Sequence, residues 1–271
     1  MKKSFLLFFV IFSLEIFAQD YKKIFEYQKF RLNCEAGVGF LAGETITPDA
    51  VRQNKSYYYD DFYYDNDFYC GFVFEVHTTP HYYIGVKPEM SITNSLSIAA
   101  GVRLLGSNET LSSDKDYFLW KISEKDKTTN YIRVKDVKQN TLYVCIPIEM
   151  TVYTYKRDVR FRQFFKWGTS LNFLTVSNTT PHFENEAMKK YTDKIKKDIE
   201  NKNQFTPTAF IGLGFKIGLM NHPFGTFEFR MPFVLKSNSA FSTFVKSNVG
   251  FEFQTAINFP LGDKKMTCIW R

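Results

Sequence analysis

From residue 30 almost to residue 260, apolar and polar positions alternate with a period of two, which marks strands with two unlike faces. Leu32, Cys34, Ala36, Val38 and Phe40 share one face, and Arg31, Asn33, Glu35, Gly37 and Gly39 the other. Phe68, Cys70, Phe72 and Phe74 alternate with Tyr69, Gly71, Glu75 and His77. Tyr82 to Ile92 and Leu96 to Leu104 repeat the pattern around a turn at Thr93-Asn94-Ser95, with Gly85, Lys87, Glu89, Ser97, Gly101 and Arg103 on the polar side. The runs at 142–152, 165–173, 208–219, 227–236 and 248–259 do the same. Their polar faces carry Glu149, Lys166, Lys216, Glu228, Arg230, Lys236 and Glu252.

Alternation alone does not say which face is inside. Three features choose. The runs are about 10 to 13 residues, near the ~9–11 that cross a bilayer at a tilt, whereas strands of soluble proteins are usually ~5–6. The polar face carries glycines and both signs of charge, which suits a crowded lumen. The connections alternate: 93–95, 154–162 and 220–225 are short, while 107–140, 177–205 and 237–244 are longer, as in outer-membrane barrels. The expectation is an all-β, antiparallel up-and-down transmembrane barrel, apolar face outward. Nine runs conflict with the even strand number of such barrels. Assigning 68–77 to a long first hairpin gives eight strands and puts both chain ends on the short-turn side; ten strands, one of them unseen, is the alternative.

The ends read differently. Lys2 and Lys3, the apolar stretch Phe5–Phe12 and small Ala18 before Gln19 predict a cleaved secretory signal peptide over 1–18. A lead-in over 19–29, the barrel over 30–260 and a tail over 261–271 complete the expected organisation. Of the chain's residues 18% are aromatic, with 30 Phe and 16 Tyr, which favours strands and membrane interfaces. The net charge of +7, on an exported chain, points to anionic lipid headgroups rather than nucleic acid.

Candidate chemistry lies in the lumen and the loops. Arg31, Lys87, Arg103, Lys166, Lys216, Arg230 and Lys236 face Glu35, Glu75, Glu89, Glu149, Glu228 and Glu252. Charges removed from water must pair. In an eight-stranded barrel, whose interior side chains can fill, this set predicts a salt-bridge plug. A charge-lined channel would need a wider barrel. Segment 184–202 reads as a helix, with Met188, Tyr191, Ile195 and Ile199 on one face. Its Lys189, Lys190, Lys194, Lys196 and Lys197 would meet lipopolysaccharide phosphates, or form a solvated face with Asp193, Asp198 and Glu200. Tyr117–Ile122 and Tyr131–Val137 are β-like runs that would extend strands beyond the membrane, and the Tyr- and Asp-rich stretch 56–69 is a self-packed loop or a contact surface for a protein or glycan.

Signals for enzymes and cofactors are weak. The residues Cys34, Cys70, Cys145 and Cys268 form no CxxC and no zinc pattern; a Cys34–Cys70 pair would require adjacent strands. His77 and His81 flank a Thr-Thr-Pro turn, and His182 and His222 adjoin prolines, none with a recognisable partner spacing. No catalytic residue, metal or cofactor is expected.

The leader ending Phe17-Ala18-Gln19, the hairpin Tyr83-Ile84-Gly85-Val86-Lys87-Pro88-Glu89 with Leu96 to Arg103, the strand Gly214-Phe215-Lys216-Ile217-Gly218 and the last strand Gly250 to Pro260 together resemble the small outer-membrane β-barrel proteins of Bacteroidota, the PorT-like family. The resemblance covers about 30–260. It implies an exported barrel in a Gram-negative outer membrane, inserted by the barrel-assembly machinery, and little about activity. Such barrels usually end near an aromatic residue of the last strand; Phe259 fits, yet Leu261 to Arg271 follow, including Trp270. Three functional readings follow: a non-enzymatic surface or membrane-integrity barrel; a small-solute pore or accessory of a secretion or uptake complex; and a soluble periplasmic barrel binding an apolar ligand.

Overall fold

The computed structural model describes residues 25–52, 78–93, 95–113, 116–125, 128–154, 160–199, 204–220, 222–235 and 241–268. Ten strands run antiparallel: β1 Phe25–Thr45, β2 Thr78–Ser91, β3 Leu96–Ala100, β4 Val102–Ser112, β5 Phe118–Lys125, β6 Thr128–Tyr153, β7 Phe161–Phe183, β8 Phe205–Ile217, β9 Phe224–Val234 and β10 Val245–Cys268. β3 and β4 are two halves of one strand, interrupted at Gly101 and both laid between β2 and β6. β5 pairs with β6, outside the ring. The ring therefore has eight members, closed by the seam of β1 against β10. The stretch 68–77, strand-like in pattern but assigned to the first long hairpin to keep the strand number even, lies outside the described residues.

Strand alternation sets the two faces. On β2 the odd positions His81, Tyr83, Lys87 and Glu89 are buried, and Tyr82, Ile84, Val86 and Met90 are exposed. On β8 Thr206, Thr208, Phe210 and Lys216 turn in, while Ile211, Leu213, Phe215 and Ile217 turn out. The outside is a belt of naked hydrocarbon. Along β10 it runs from Val249 to Leu261, about 40 Å of strand, or roughly 28 Å of height at a tilt of about 45°. That matches the apolar band of a membrane barrel, about 25 Å tall. Phenylalanine pairs mark both ends: Phe161 stacks on Phe215 at 5.2 Å near the short turns, and Phe173 meets Phe205 at 5.1 Å at the other edge. A soluble barrel with an apolar interior is the opposite arrangement; among the described residues the middle of this bore is lined by charged and polar side chains.

The two ends differ. At one end the links are tight. The 92–95 turn is held by the Thr93 hydroxyl, which accepts the N–H groups of Ser95 and Leu96 at 3.1 and 3.0 Å. At the other end β6 and β7 run past the apolar belt, and β5 folds back on β6 at Phe118–Lys125. The β-like runs read from the sequence within 107–140 are thus strands.

Four expectations change. Residues 261–268, expected as a tail, continue β10, and residues 25–29, expected as a lead-in, begin β1: Phe25 pairs with Cys268 and Gln28 with Lys265. Backbone ladder bonding holds this ribbon, so it needs no alternating face to signal it. The expected helix over 184–202 is a 3-10 turn, Glu186–Tyr191, followed by a short helix α1, Thr192–Asp198. The Asn185 side chain accepts the Ala187 N–H at 2.9 Å and the Thr192 hydroxyl donates to the Lys189 carbonyl at 2.7 Å, so local side-chain bonds divide the segment. His81, read beside a turn, sits inside β2.

Candidate functional site

The ring interior is the best-defined site. Of the thirteen charges assigned from the sequence to the lumen, Glu75 and Lys236 lie outside the described residues. The other eleven are buried: Arg31, Glu35, Lys87, Glu89, Arg103, Glu149, Lys166, Lys216, Glu228, Arg230 and Glu252.

Glu149 of β6 is the hub. Its carboxylate meets Lys87 of β2 at 2.5 Å, Arg103 of β4 at 3.2 Å, Arg230 of β9 at 3.1 Å and Lys166 of β7 at 3.6 Å. Glu35 of β1 bonds Arg103 at 2.8 Å and also pairs with Lys87. Glu228 bonds Arg230 and Lys166, both at 2.6 Å. Four cations from four strands thus surround three carboxylates from three. The rings beside them are cation-π partners: Arg103 lies 4.1 Å from the Tyr83 ring centre and Arg230 lies 4.3 Å from that of Phe210. This crosses the barrel from wall to wall.

Glycines make the room. Gly37 pairs across the sheet with Tyr83, and a Cβ on Gly37 would sit 2.3 Å from that ring. Gly212 pairs with Arg230, and a Cβ there would sit 2.7 Å from the Glu228 carboxylate.

Both ends of this network are closed. Toward the short turns, Arg31 bonds Glu89 at 2.6 Å, Asn33 donates to Asn258 at 2.8 Å, and Tyr153, Phe164, Met220 and Phe224 form an apolar cluster. Arg162 lies 4.6 Å from the Tyr153 ring centre and Lys216 lies 5.4 Å from that of Phe224. Toward the long connections, His81 meets Glu252 at 3.0 Å and the Tyr83 hydroxyl donates to Gln254 at 3.1 Å. Above them Leu41, Leu105, Tyr143 and Cys145 pack with Phe241, which reaches in from the β9–β10 connection.

Beyond the mouth a second apolar core builds a cap. Trp120 and Phe118 of β5, Val134 of β6, Ile195 and Ile199 of the α1 segment, and Phe244 are wholly buried together. The Trp120 indole N–H donates to Asp198 at 3.1 Å, tying α1 to β5. Val51 bridges to Trp120, so the β1–β2 connection joins the same core.

The loop lysines lie on this cap. Lys189 pairs with Glu186 at 2.7 Å, Lys194 pairs with Asp198 at 2.8 Å and Lys190 lies 5.1 Å from the Tyr191 ring centre. Lys196 and Lys197 are exposed.

One His has an acidic partner at the outer surface: His182 of β7 meets Asp136 of β6 at 2.6 Å. Ser112 of β4 pairs with Asp136 from the other side. The carboxylate thus stands between hydroxyl and imidazole, with Ser112 and His182 two strand spacings apart, roughly 10 Å. A general base must touch the hydroxyl it activates, so this row lacks the order of a catalytic triad. Cys34 and Cys145 are free thiols, Cys34 on the outer face; Cys70 lies outside the described residues. Among the described residues no cluster of three or more metal-ligating side chains occurs.

Sequence reasoning missed several members. His81 lies in phase with Lys87 and Glu89, and Arg162 in phase with Lys166, but both positions had been given to turns; Tyr83, within a recognised strand, shares the inward phase but was not counted with the polar face. Glu109 continues the odd positions from Arg103, inside what read as a loop. Phe241 and Ser242 carry no periodic signal at all.

No protein-family model and no curated protein matches the sequence. Among solved structures, the chain is similar to Neisserial surface protein A at 9% identity, over 86% of this chain and 97% of that one, with a TM-score of 0.43. It is also similar to OprG of Pseudomonas aeruginosa, at 9% identity over 87% and 98% with a TM-score of 0.39. The N-terminal β-barrel domain of Pseudomonas aeruginosa OprF gives 11% identity over 87% and 100%, with a TM-score of 0.32. The chain itself is an all-β antiparallel barrel of eight strands, hydrocarbon outside and ionic inside.

Proposed function

We propose that this chain is a non-enzymatic outer-membrane barrel whose plugged lumen serves as a rigid post for a folded surface cap. One observation carries the reading. The outer belt is apolar and the bore is crossed by a charge network centred on Glu149. Hydrocarbon on the outside needs lipid, and a crossed bore does not conduct. The cap, with its own apolar core, is then the part left to meet the surroundings, by contact with another protein or a glycan or by bracing the membrane.

The short turns face the periplasm and the cap faces outward, in keeping with the sorting of loop lengths in such barrels. Membership of the PorT-like barrels of Bacteroidota and export by a signal peptide cut after Ala18 belong to the same proposal. They rest on the leader and strand motifs of the sequence. The barrel-assembly machinery is the expected partner during insertion, and nucleic acid is not a partner. On the cap, Lys189, Lys190, Lys194, Lys196 and Lys197 approach lipopolysaccharide phosphates. Their pairs with Glu186 and Asp198 are exposed and weak, so an anionic headgroup can compete for them.

Planar-bilayer recording of the refolded full chain tests the plug. The expected result is no steady current at either polarity. A reproducible open level would return the small-solute pore to first place. Charge reversal at Lys189, Lys190, Lys194 and Lys197 should reduce the lipopolysaccharide that co-purifies from extracted membranes; an unchanged amount would remove the lysines from the reading.

A further inference from the structure

We propose that the outer wall of β4, β6 and β7, just above the apolar belt, is a docking face for the phosphorylated saccharide headgroup of an outer-leaflet lipid. The inference deepens the proposed contact with lipopolysaccharide and rests on the orientation given there, cap outward; it does not involve the cap lysines.

Register builds the face. β4, β6 and β7 lie side by side, and their outward positions fall into level rows. The lowest row is Gly106, Leu142 and Val176, flanked by Tyr82 of β2. Leu142 and Val176 are exposed apolar side chains of the belt. The Tyr82 ring lies over Gly106, where a Cβ would come within 2.6 Å of it. An exposed tyrosine beside bare hydrocarbon marks the membrane interface, where ring and hydroxyl meet different surroundings. The next row up is Asn108, Asn140 and Asn178. Above it stand Thr110, Lys138 and Thr180, and then Ser112, Asp136 and His182. The six side chains of the two middle rows are all exposed, while Glu109, Gln139 and Thr179 between them turn inward.

Height and chemistry name the occupant. At ~3.4 Å per residue and a tilt of about 45°, the asparagine row stands about 5 Å above Leu142 and the Lys138 row about 10 Å. A headgroup layer extends about 5–8 Å beyond the hydrocarbon on each side. The asparagines therefore stand within that layer and Lys138 at its outer edge. Neighbouring amides, at a strand spacing of roughly 5 Å, offer both donors and acceptors, as the hydroxyls of a sugar ring require. Lys138 supplies a cation for phosphate. Further along β6, Lys135 and Arg133 are exposed as well. The acids beside them are engaged, Asp136 with His182 at 2.6 Å and Glu184 with Arg133 at 3.2 Å. A glycerophospholipid would bring the phosphate but leave the asparagine row without hydroxyl partners.

Native mass spectrometry of the full chain, refolded in polyoxyethylene-detergent micelles, tests this. The probe is lipid A, intact and dephosphorylated. The wild type should carry the intact lipid and lose most of it when the phosphates are removed. The triple variant Lys138→Glu, Asn140→Leu, Asn178→Leu should bind about tenfold more weakly. Charge reversal at Lys189, Lys190, Lys194 and Lys197 should leave this binding in place. Heat-modifiable migration reports that each variant is a folded barrel; where the triple variant does not fold, Lys138→Gln alone should shift binding in the same direction. Equal binding by wild type and wall variant, equal binding of the dephosphorylated lipid, or dimers formed through this face in place of lipid would each overturn the proposal. A loss confined to the cap variant would overturn it too, and leave the cap lysines as the contact. Orientation is read separately, by labelling Lys196→Cys with a membrane-impermeant maleimide on intact cells. Labelling only after lysis would overturn the orientation and this inference with it; ready labelling together with equal binding would overturn this inference alone.

Discussion

Glu149 shows how far a single side chain can govern this interior. It contacts cations from four strands, and no other carboxylate among the described residues pairs with all four. Glu149→Gln leaves Lys87, Arg103, Lys166 and Arg230 to share Glu35 and Glu228. Removing one partner from a buried charge network costs about 3–5 kcal/mol, because the remaining charges stay out of water. The expected outcome is a lower urea midpoint for the loss of heat-modifiable migration. A midpoint equal to wild type would mean that water already screens the network. Gly37→Val probes the same interior from its empty side. The added Cβ meets the Tyr83 ring at 2.3 Å, so the ring must leave its place over Arg103. Overpacking of this kind costs about 1–3 kcal/mol. Intrinsic tyrosine fluorescence and the urea midpoint should both change.

Among elements, the cap is the one whose character differs most from the rest. It hides apolar side chains from water as soluble proteins do, whereas the strands below expose them. Trp120 fills its centre and reaches Asp198 on α1. Trp120→Ala should cost about 3–5 kcal/mol locally. Limited proteolysis should then cut within 116–136 and 184–204, while the barrel core stays resistant and migrates as folded. A variant that loses barrel migration as well would show cap and barrel to be one cooperative unit. The cap also marks where sequence legibility ended. The strands announced themselves because two environments meet along each one, and period two is their direct record. α1 and its 3-10 turn bury one side in a small local core, which gave a helical spacing but not its division at Thr192. The 25–29 and 261–268 ribbon is held by backbone bonds, which leave no trace in side-chain order. The inward charges were legible as a set. Their wiring was not, since Glu149 and Arg230 stand 81 residues apart in the chain and meet only when the ring closes.

At the scale of the whole molecule, the outward belt sets what surroundings the barrel tolerates. Ile211 sits mid-belt on β8 and is exposed. Ile211→Arg places a cation in hydrocarbon and should cost about 2–4 kcal/mol in a lipid bilayer. The same change in a soluble protein surface would be nearly neutral. Parallel urea titrations of both forms in vesicles measure the difference; no difference would mean that Ile211 does not face lipid.

The seam between β1 and β10 has a consequence of its own. Its ladder runs from Phe25 against Cys268 to Thr45 against Val245, so two ring strands far apart in the chain, with β2 to β9 between them in sequence, are neighbours. Until β10 arrives, every partial sheet carries two bare rims of backbone donors and acceptors, an invitation to pair with other chains. Assembly is therefore all-or-nothing with respect to the final strand. A product halted after β9 would be a sticky ribbon rather than a narrower cylinder, and its handling must fall to whatever escorts the unfinished polypeptide.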